Sequence, residues 1–249
     1  MASATVSAMG ALLTLRDVWL SFPRGRRHVV RVLAGVSLEL EPGEVVAVLA
    51  QRAQGKTSLL RVAGGMERPD RGTVLSDGHD VWRMTARRRA RLLGARTALV
   101  GHVEPDLDAP VLANITLPLL DLHGRREAHD RAARALATVG AGECARRRWS
   151  ELPDRERALV AIAQAIAREP RLLLVDDLTG TLGLGDTEEI TRLLCTLAEE
   201  RGIAVLMSVG DAGATVWSER VATLAGGELL VPPRLSADDR PNVVDFPAS

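Results

Sequence analysis

Tyrosine does not occur in the 249 residues and phenylalanine occurs twice, so the chain lacks the stacked aromatic platforms on which single-stranded nucleic acids lie. Cysteine is almost as scarce. Cys144 and Cys195 stand far apart with no C-x-x-C pattern, which excludes a cysteine metal site and suits a reducing compartment. The five histidines show no H-E-x-x-H spacing, so a histidine-held metal is not expected. The formal net charge is zero, which removes bulk attraction to nucleic acid or to an anionic membrane. No apolar run reaches the roughly 18 residues a bilayer span needs, and MASATVSAMGALLTL lacks the positive start of a secretory signal. A cytoplasmic protein is expected, peripheral to the membrane at most and attached there through a partner rather than by insertion. Lysine is the scarcest charge. Of 32 lysine and arginine residues, one is lysine, and it is Lys56.

That lysine stands in VVAVLAQRAQGKTSLL, Val45 to Leu60. The stretch reads as a buried strand, a short turn and Gly55-Lys56-Thr57-Ser58 opening a helix. This is the order of a phosphate-binding loop, G-x-x-x-x-G-K-[ST], with Ala50 at the first glycine position. Backbone N–H groups from Ala50, Gln51, Ala53, Gln54 and Gly55 through Ser58 would curl round a polyphosphate. Lys56 would reach its outer oxygens, and the Thr57 hydroxyl would face a metal. A compact ammonium on a flexible stem suits that place better than a guanidinium. A nucleoside triphosphate is therefore the expected ligand.

Around this loop, strands alternate with helices. Ala11 to Leu20 and Val29 to Leu40 read as strands joined by SFPRGRR, and TVLSDGHDV reads as a short strand with a turn at Asp77-Gly78. Thr85 to Arg96 is a basic helix, expected as a solvated face, with acidic lipid or nucleic acid as the alternative contact. Val111 to Leu120, Arg125 to Val139, Arg155 to Arg168 and Thr187 to Glu200 read as helices. Thr97 to Val103, Leu172 to Asp177, Ile203 to Val209 and Val221 to Leu230 read as strands. The expected fold is α/β: a mostly parallel sheet flanked by helices, with an antiparallel β subdomain and a helical subdomain over about 104–170. Residues 1–10 and 231–249 are expected to be a flexible start and a disordered, Pro- and Asp-rich tail.

LLLVDD, Leu172 to Asp177, ends a buried strand in two carboxylates. Ligands of open α/β sheets lie beyond the carboxyl ends of strands, so Asp176 can share a Mg²⁺ ion with Thr57. With these residues together, the chain from about Leu12 to Leu230 resembles the ATP-binding subunit of an ABC transporter. Phe22 stands where that family places an aromatic against adenine. LANITLPLL (Leu112 to Leu120) resembles the segment after the family's glutamine loop. ELPDRERALVAIAQAIAREPRLLLVDDLTG resembles the run from the signature to the second acidic motif. Thr179-Gly180 and the L-P-L ending resemble the branch serving lipoprotein release, macrolide efflux and cell-division complexes.

The resemblance implies ATP and Mg²⁺ as ligands, a membrane permease as partner and a second ATP-binding subunit as a further one. It also marks departures. Ala50 and Ala53 replace glycines, and a positive φ at Ala53 would carry roughly 1 kcal/mol of strain or more. Gly101 or His102 stands where a glutamine belongs. LSGGQ has become Leu152-Pro153-Asp154-Arg155-Glu156, expected as proline at the first helical position followed by acids in the first turn. Asp177 replaces the glutamate that orients the attacking water, and Gly210 replaces a histidine. Slow or absent hydrolysis is expected. A working transport ATPase relying on Asp177 and His102, and a regulator without a permease, are the alternatives.

Overall fold

The computed structural model describes residues 10–25, 28–101, 105–178, 180, 182–210, 215, 218 and 220–233. The strands, in chain order, are β1 (Leu13–Arg24), β2 (His28–Leu40), β3 (Val45–Leu49), β4 (Arg71–Ser76) and β5 (His79–Asp80). They continue with β6 (Thr97–Val100), β7 (Leu172–Asp176), β8 (Ala204–Val209), β9 (Arg220–Ala225) and β10 (Glu228–Leu230). The helices are α1 (Lys56–Ala63), α2 (Ala86–Arg96), α3 (Val111–Thr116), α4 (Arg125–Thr138), α5 (Asp154–Ile166) and α6 (Leu184–Arg201).

β3, β7 and β8 carry almost no polar side chain before their last residues, because both faces of their sheet are covered. Val45 and Ala47 of β3, Leu173 and Val175 of β7, and Val205, Met207 and Val209 of β8 point into a core shared with α3 to α6. The alternate residues, Val46 and Val48, Leu172 and Leu174, and Ala204 and Leu206, enter a second core shared with α1 and the first strands. Period-two alternation thus survives as a choice between two buried layers, a pattern confined to sheets covered on both sides. The strand order is β10-β9-β3-β8-β7-β6, parallel from β9 to β6, with β10 antiparallel at one edge. A four-stranded antiparallel sheet of order β2-β1-β4-β5 lies beside it.

Asp77 joins the two sheets. It sits at φ 47° in the hairpin turn between β4 and β5, followed by Gly78 at φ 74°. Its carboxylate accepts from Arg171 at 2.9 and 3.0 Å and also from Arg96, both next to strands of the parallel sheet.

Several boundaries differ from the sequence reading. β1 and β2 run on through what reads as a turn: Phe22 pairs with Val30 and Pro23 with Val29. Pro23 is tolerated because β4 has left β1 by then, so its missing N–H faces no partner strand. The helix expected to reach Leu120 stops at Thr116 and continues as a 3₁₀ turn over Leu117–Leu119. Pro118 has no N–H for the Asn114 carbonyl, and that carbonyl instead accepts from Gln164 Nε2 at 3.4 Å. Two further 3₁₀ turns, Gly142–Arg146 and Trp149–Glu151, had no periodic signal.

At the floor of the parallel sheet, Glu44 and Arg220 pair at 3.1 Å with side chains 8% and 9% exposed. Arg220 also donates to the Glu39 carbonyl at 2.6 Å, and Glu44 accepts from the Glu41 N–H at 2.8 Å. This contact fixes the entry of β3 against that of β9. Glu44→Ala is expected to lower stability by about 3–5 kcal/mol, since it removes a buried carboxylate that pairs with the Arg220 guanidinium and accepts from the Glu41 N–H. A urea denaturation series measures the loss.

Candidate functional site

β3 ends at Leu49, and the chain must turn within a few residues to start α1. Ala50, buried, donates to the Val209 carbonyl at 3.3 Å and so stays with the sheet. Ala53 then takes φ 61° and Gly55 φ 96°. Gly55 has no room for a side chain: a Cβ there would lie 2.6 Å from Val32 Cγ1 and 3.0 Å from the Val32 carbonyl. Ala53 holds the left-handed conformation with a methyl group in place, which is strain stored in the loop. α1 has no side-chain cap at Gly55 and no acid in its first turn, so its first N–H groups and positive end face the cleft unscreened.

The cleft, about 390 Å³, is lined by Ala53, Gln54, Gly55, Lys56, Thr57 and Ser58 from the loop and by Asp176 and Asp177 from the end of β7. Lys56 folds back so that Nζ donates to the Ala50 carbonyl at 2.8 Å. Thr57 Oγ1 donates to Asp176 Oδ2 at 2.7 Å across 119 residues of sequence. Asp176 Oδ1 accepts from Ser208 Oγ at 2.7 Å, and Ser208 Oγ in turn accepts from the Asp177 N–H at 2.9 Å. One hydroxyl on β8 therefore orients both carboxylate residues.

Asp177 is exposed at φ 46°. A Cβ on Gly180 would lie 2.9 Å from its Oδ1, and one on Gly210 would lie 4.0 Å away. Both glycines thus border the carboxylate.

Three sequence-expected residues stand apart from the cleft lining. Ala50 lies beneath it, Gln51 is exposed, and Phe22, 38% exposed, is carried on β1 opposite Val30, two residues from the cleft-lining Val32. His102 lies outside the described residues, as do Thr179 and the tail beyond Pro233. Arg52, Val32 and Ser208 belong to the site and were missed. Ser208 had a signal, being the one polar residue in the buried strand AVLMSV. Val32 had none, because only the fold carries β2 past the loop. The Gln54 side chain is occupied away from the cleft, accepting from the Gly226 N–H at 3.2 Å.

The LPDRE helix start is α5. Pro153 is its N-cap residue, at φ −66° and ψ 163°, rather than its first helical residue, so the proline ends the extended approach and Asp154 opens the helix. Glu156 accepts from Arg147 at 2.6 Å, and Asp154 pairs with Arg157 at 3.3 Å. Arg155 is drawn onto α6, where it donates to Glu189 at 2.8 Å and lies 3.8 Å from Asp186. The Arg155 hydrogen bond holds the Glu189 carboxyl below the ordinary glutamate range, partly opposed by burial.

The ABC transporter family model matches residues 33–180, which contain the loop, the β7 carboxylates and the α5 start. The chain belongs to that family as an ATP-binding domain. The lipoprotein-releasing system ATP-binding protein LolD 2 of Caulobacter vibrioides is 35% identical over 205 residues, covering 80% of this chain and 88% of that protein. LolD of Pseudomonas fluorescens is 34% identical over 226 residues, covering 88% and 97%. The dimeric structure of MJ0796, a bacterial ABC transporter cassette, matches with a TM-score of 0.78 at 25% identity, covering 87% of this chain and 96% of that one. A second MJ0796 structure is a post-hydrolysis state bound to ADP and Pi, with the same TM-score of 0.78.

Within this ATP-binding domain, Ala53→Gly is expected to raise stability by roughly 0.5–1 kcal/mol, the relief at positive φ exceeding the added freedom of the unfolded chain. The midpoint of urea unfolding gives the sign directly.

Proposed function

We propose that the chain is the ATP-binding subunit of a membrane transporter of the lipoprotein-release type, binding ATP with Mg²⁺ and hydrolysing it slowly. The observation that carries the reading is the Thr57–Asp176–Ser208 chain of hydrogen bonds at the mouth of a phosphate-binding loop that holds the protein's one lysine. The residues fit the metal. Thr57 Oγ1 and Asp176 Oδ2 are two hard oxygens 2.7 Å apart, and no cluster of three or more His, Cys, Asp or Glu suited to a metal occurs among the described residues. Mg²⁺ keeps most of its waters and takes its remaining oxygens from substrate phosphates, so a sparse protein shell is what it needs. When bound, the ion neutralises charge on the phosphates. The chain's part is to hold it with Thr57 and Asp176, and to bind the outer phosphate oxygens with Lys56 after that ammonium leaves the Ala50 carbonyl. Phe22 and Val30, paired with each other and exposed near the turn end of the β1–β2 hairpin, offer an apolar surface for the base.

Slow hydrolysis follows from the residue that must place the water. Asp177 is one methylene shorter than glutamate, and an error of about 1 Å in a reacting position costs on the order of 10²-fold. Gly210, bordering the carboxylate, brings no imidazole. The permease contact belongs to an apolar cavity of about 250 Å³ beneath the helices, lined by Met66, Leu93, Ile115, Pro118, Leu119 and Ala165 among others. No helix among the described residues is long and apolar enough to cross a membrane, so transport needs such a partner. A second ATP-binding subunit with an unaltered signature completes the assembly. Recovery of both proteins with the tagged chain from solubilised membranes tests these two contacts.

Two outcomes test the site. Lys56→Ala is expected to remove most ATP affinity, at least about 10-fold in Kd, because the phosphates lose their one ammonium. Titration with a fluorescent ATP analogue measures this, and equal affinity in both proteins would refute the loop assignment. Steady-state turnover of the unmodified chain should be at least about 10²-fold below that of a transport ATPase carrying glutamate and histidine. Asp177→Glu should restore little of it while Gly210 stays glycine.

A further inference from the structure

The basic helix α2 is unlike the other helices of the chain. Residues 83–96 hold six arginines and no acid (Arg83, Arg87, Arg88, Arg89, Arg91 and Arg96), although the whole chain is neutral. On α4, α5 and α6, arginines meet carboxylates of the same chain, as in Arg131–Glu127, Arg155–Glu189 and Arg192–Glu188. On α2 they divide by face. Arg89 lies over the Trp82 ring at 4.2 Å, and Arg96 pairs with Asp77. These two are seven residues apart, so they fall on one side of the helix and fasten it to the β4–β5 hairpin. At about 100° per residue, Arg87 and Arg91 fall on the opposite side with Arg88 at its flank. All three are exposed, and among the described residues none of them forms an ion pair. Arg83, the remaining member, is held by Asp80 at 3.2 Å.

α2 also borders the apolar cavity through Leu93 and Gly94. Met66 in the lining is itself 46% exposed, and Leu117, next to the lining Pro118, is 59% exposed. An unpaired basic face suits the headgroup phosphates of an anionic bilayer surface, and the apolar cavity at its border is the one proposed above for the permease, so the two contacts lie side by side.

We infer that α2 is a membrane-surface contact, in which Arg87, Arg88 and Arg91 take the anionic headgroups of the bilayer around the permease. The inference rests on the transporter reading for its location, but the contact is made with lipid and needs neither nucleotide nor permease. Phospholipid is favoured over an acidic protein segment because the three guanidiniums form an open convex face with no groove to grip a chain. Single-stranded nucleic acid is disfavoured by the absence of any tyrosine and by the two phenylalanines of the whole chain, which leave few bases a ring to stack on. The contact lies on the surface without insertion, and it would orient the subunit and add to whatever affinity the permease supplies.

The test is co-sedimentation of the purified full chain with phosphatidylcholine vesicles, with and without about 30% phosphatidylglycerol. Anionic lipid is expected to raise the partition coefficient by about 10²-fold at low salt, with most of the gain lost as salt screens the contact. The triple variant Arg87→Gln, Arg88→Gln, Arg91→Gln should fall to the level of neutral vesicles, while lysine at the same three positions should keep most of the gain. These side chains are exposed and unpaired, so unfolding midpoints should not change, and ATP-analogue titration of the same samples reports separately on the nucleotide site. Equal partition into neutral and anionic vesicles would overturn the inference, as would a triple variant that binds like the unmodified chain. Loss of permease recovery in the triple variant with vesicle binding unchanged would overturn it too, and would assign the face to an acidic protein segment.

Discussion

The site depends on the register of three adjacent parallel strands. β8 lies between β3 and β7, with Ser208 opposite Val48 on one side and Asp176 on the other. That register puts one hydroxyl within reach of the Asp176 carboxylate and the Asp177 N–H, just where β3 gives way to the phosphate-binding loop. Shifting β7 by a single residue would turn Asp176 toward the opposite layer of apolar side chains. Both layers are packed, so the cost of burying a carboxylate enforces the register as strongly as the hydrophobic contacts do.

The loop itself is expensive to fold and is braced from two sides. Gly55 presses on Val32 of β2, and the Ala34 N–H donates to the Gly227 carbonyl at 2.8 Å. Gly226, at the same turn, donates to the Gln54 side chain. The antiparallel sheet and the β9–β10 hairpin thus hold a segment that would otherwise relax away from positive φ. Helices α3 to α5 take no part in this bracing and form their own core with the far face of the parallel sheet.

Much of this arrangement was readable in the sequence, for definite reasons. Short apolar runs ending in a turn or in two aspartates have few other places to go than the middle of a covered parallel sheet, so β3, β7 and β8 were located almost to the residue. The Asp77-Gly78 turn was legible because that dipeptide suits left-handed backbone. The run from Val111 was misread at its end because apolar periodicity carries on through Leu117 and Leu119, while Pro118 removes the N–H that an α-helix needs. Pro153 was misplaced by one position for a related reason, since φ near −65° serves the residue before a helix as well as the first one inside it. At the site, local pattern disclosed the loop and the carboxylates. It could not disclose Val32, which acts from another sheet, nor that Arg155 turns to Glu189 and away from the mouth of its own helix.

A chain with one ε-amine is also a chemical reporter. Lys56 is the sole side-chain target for amine-selective acylation, and its nitrogen is engaged with the Ala50 carbonyl. Any label carried by the peptide containing the loop therefore reports the time that ammonium spends released from its own backbone. The same solitude means that cellular acylation of lysine side chains, wherever this chain meets it, has a single place to land and would remove the one ammonium that lines the cleft.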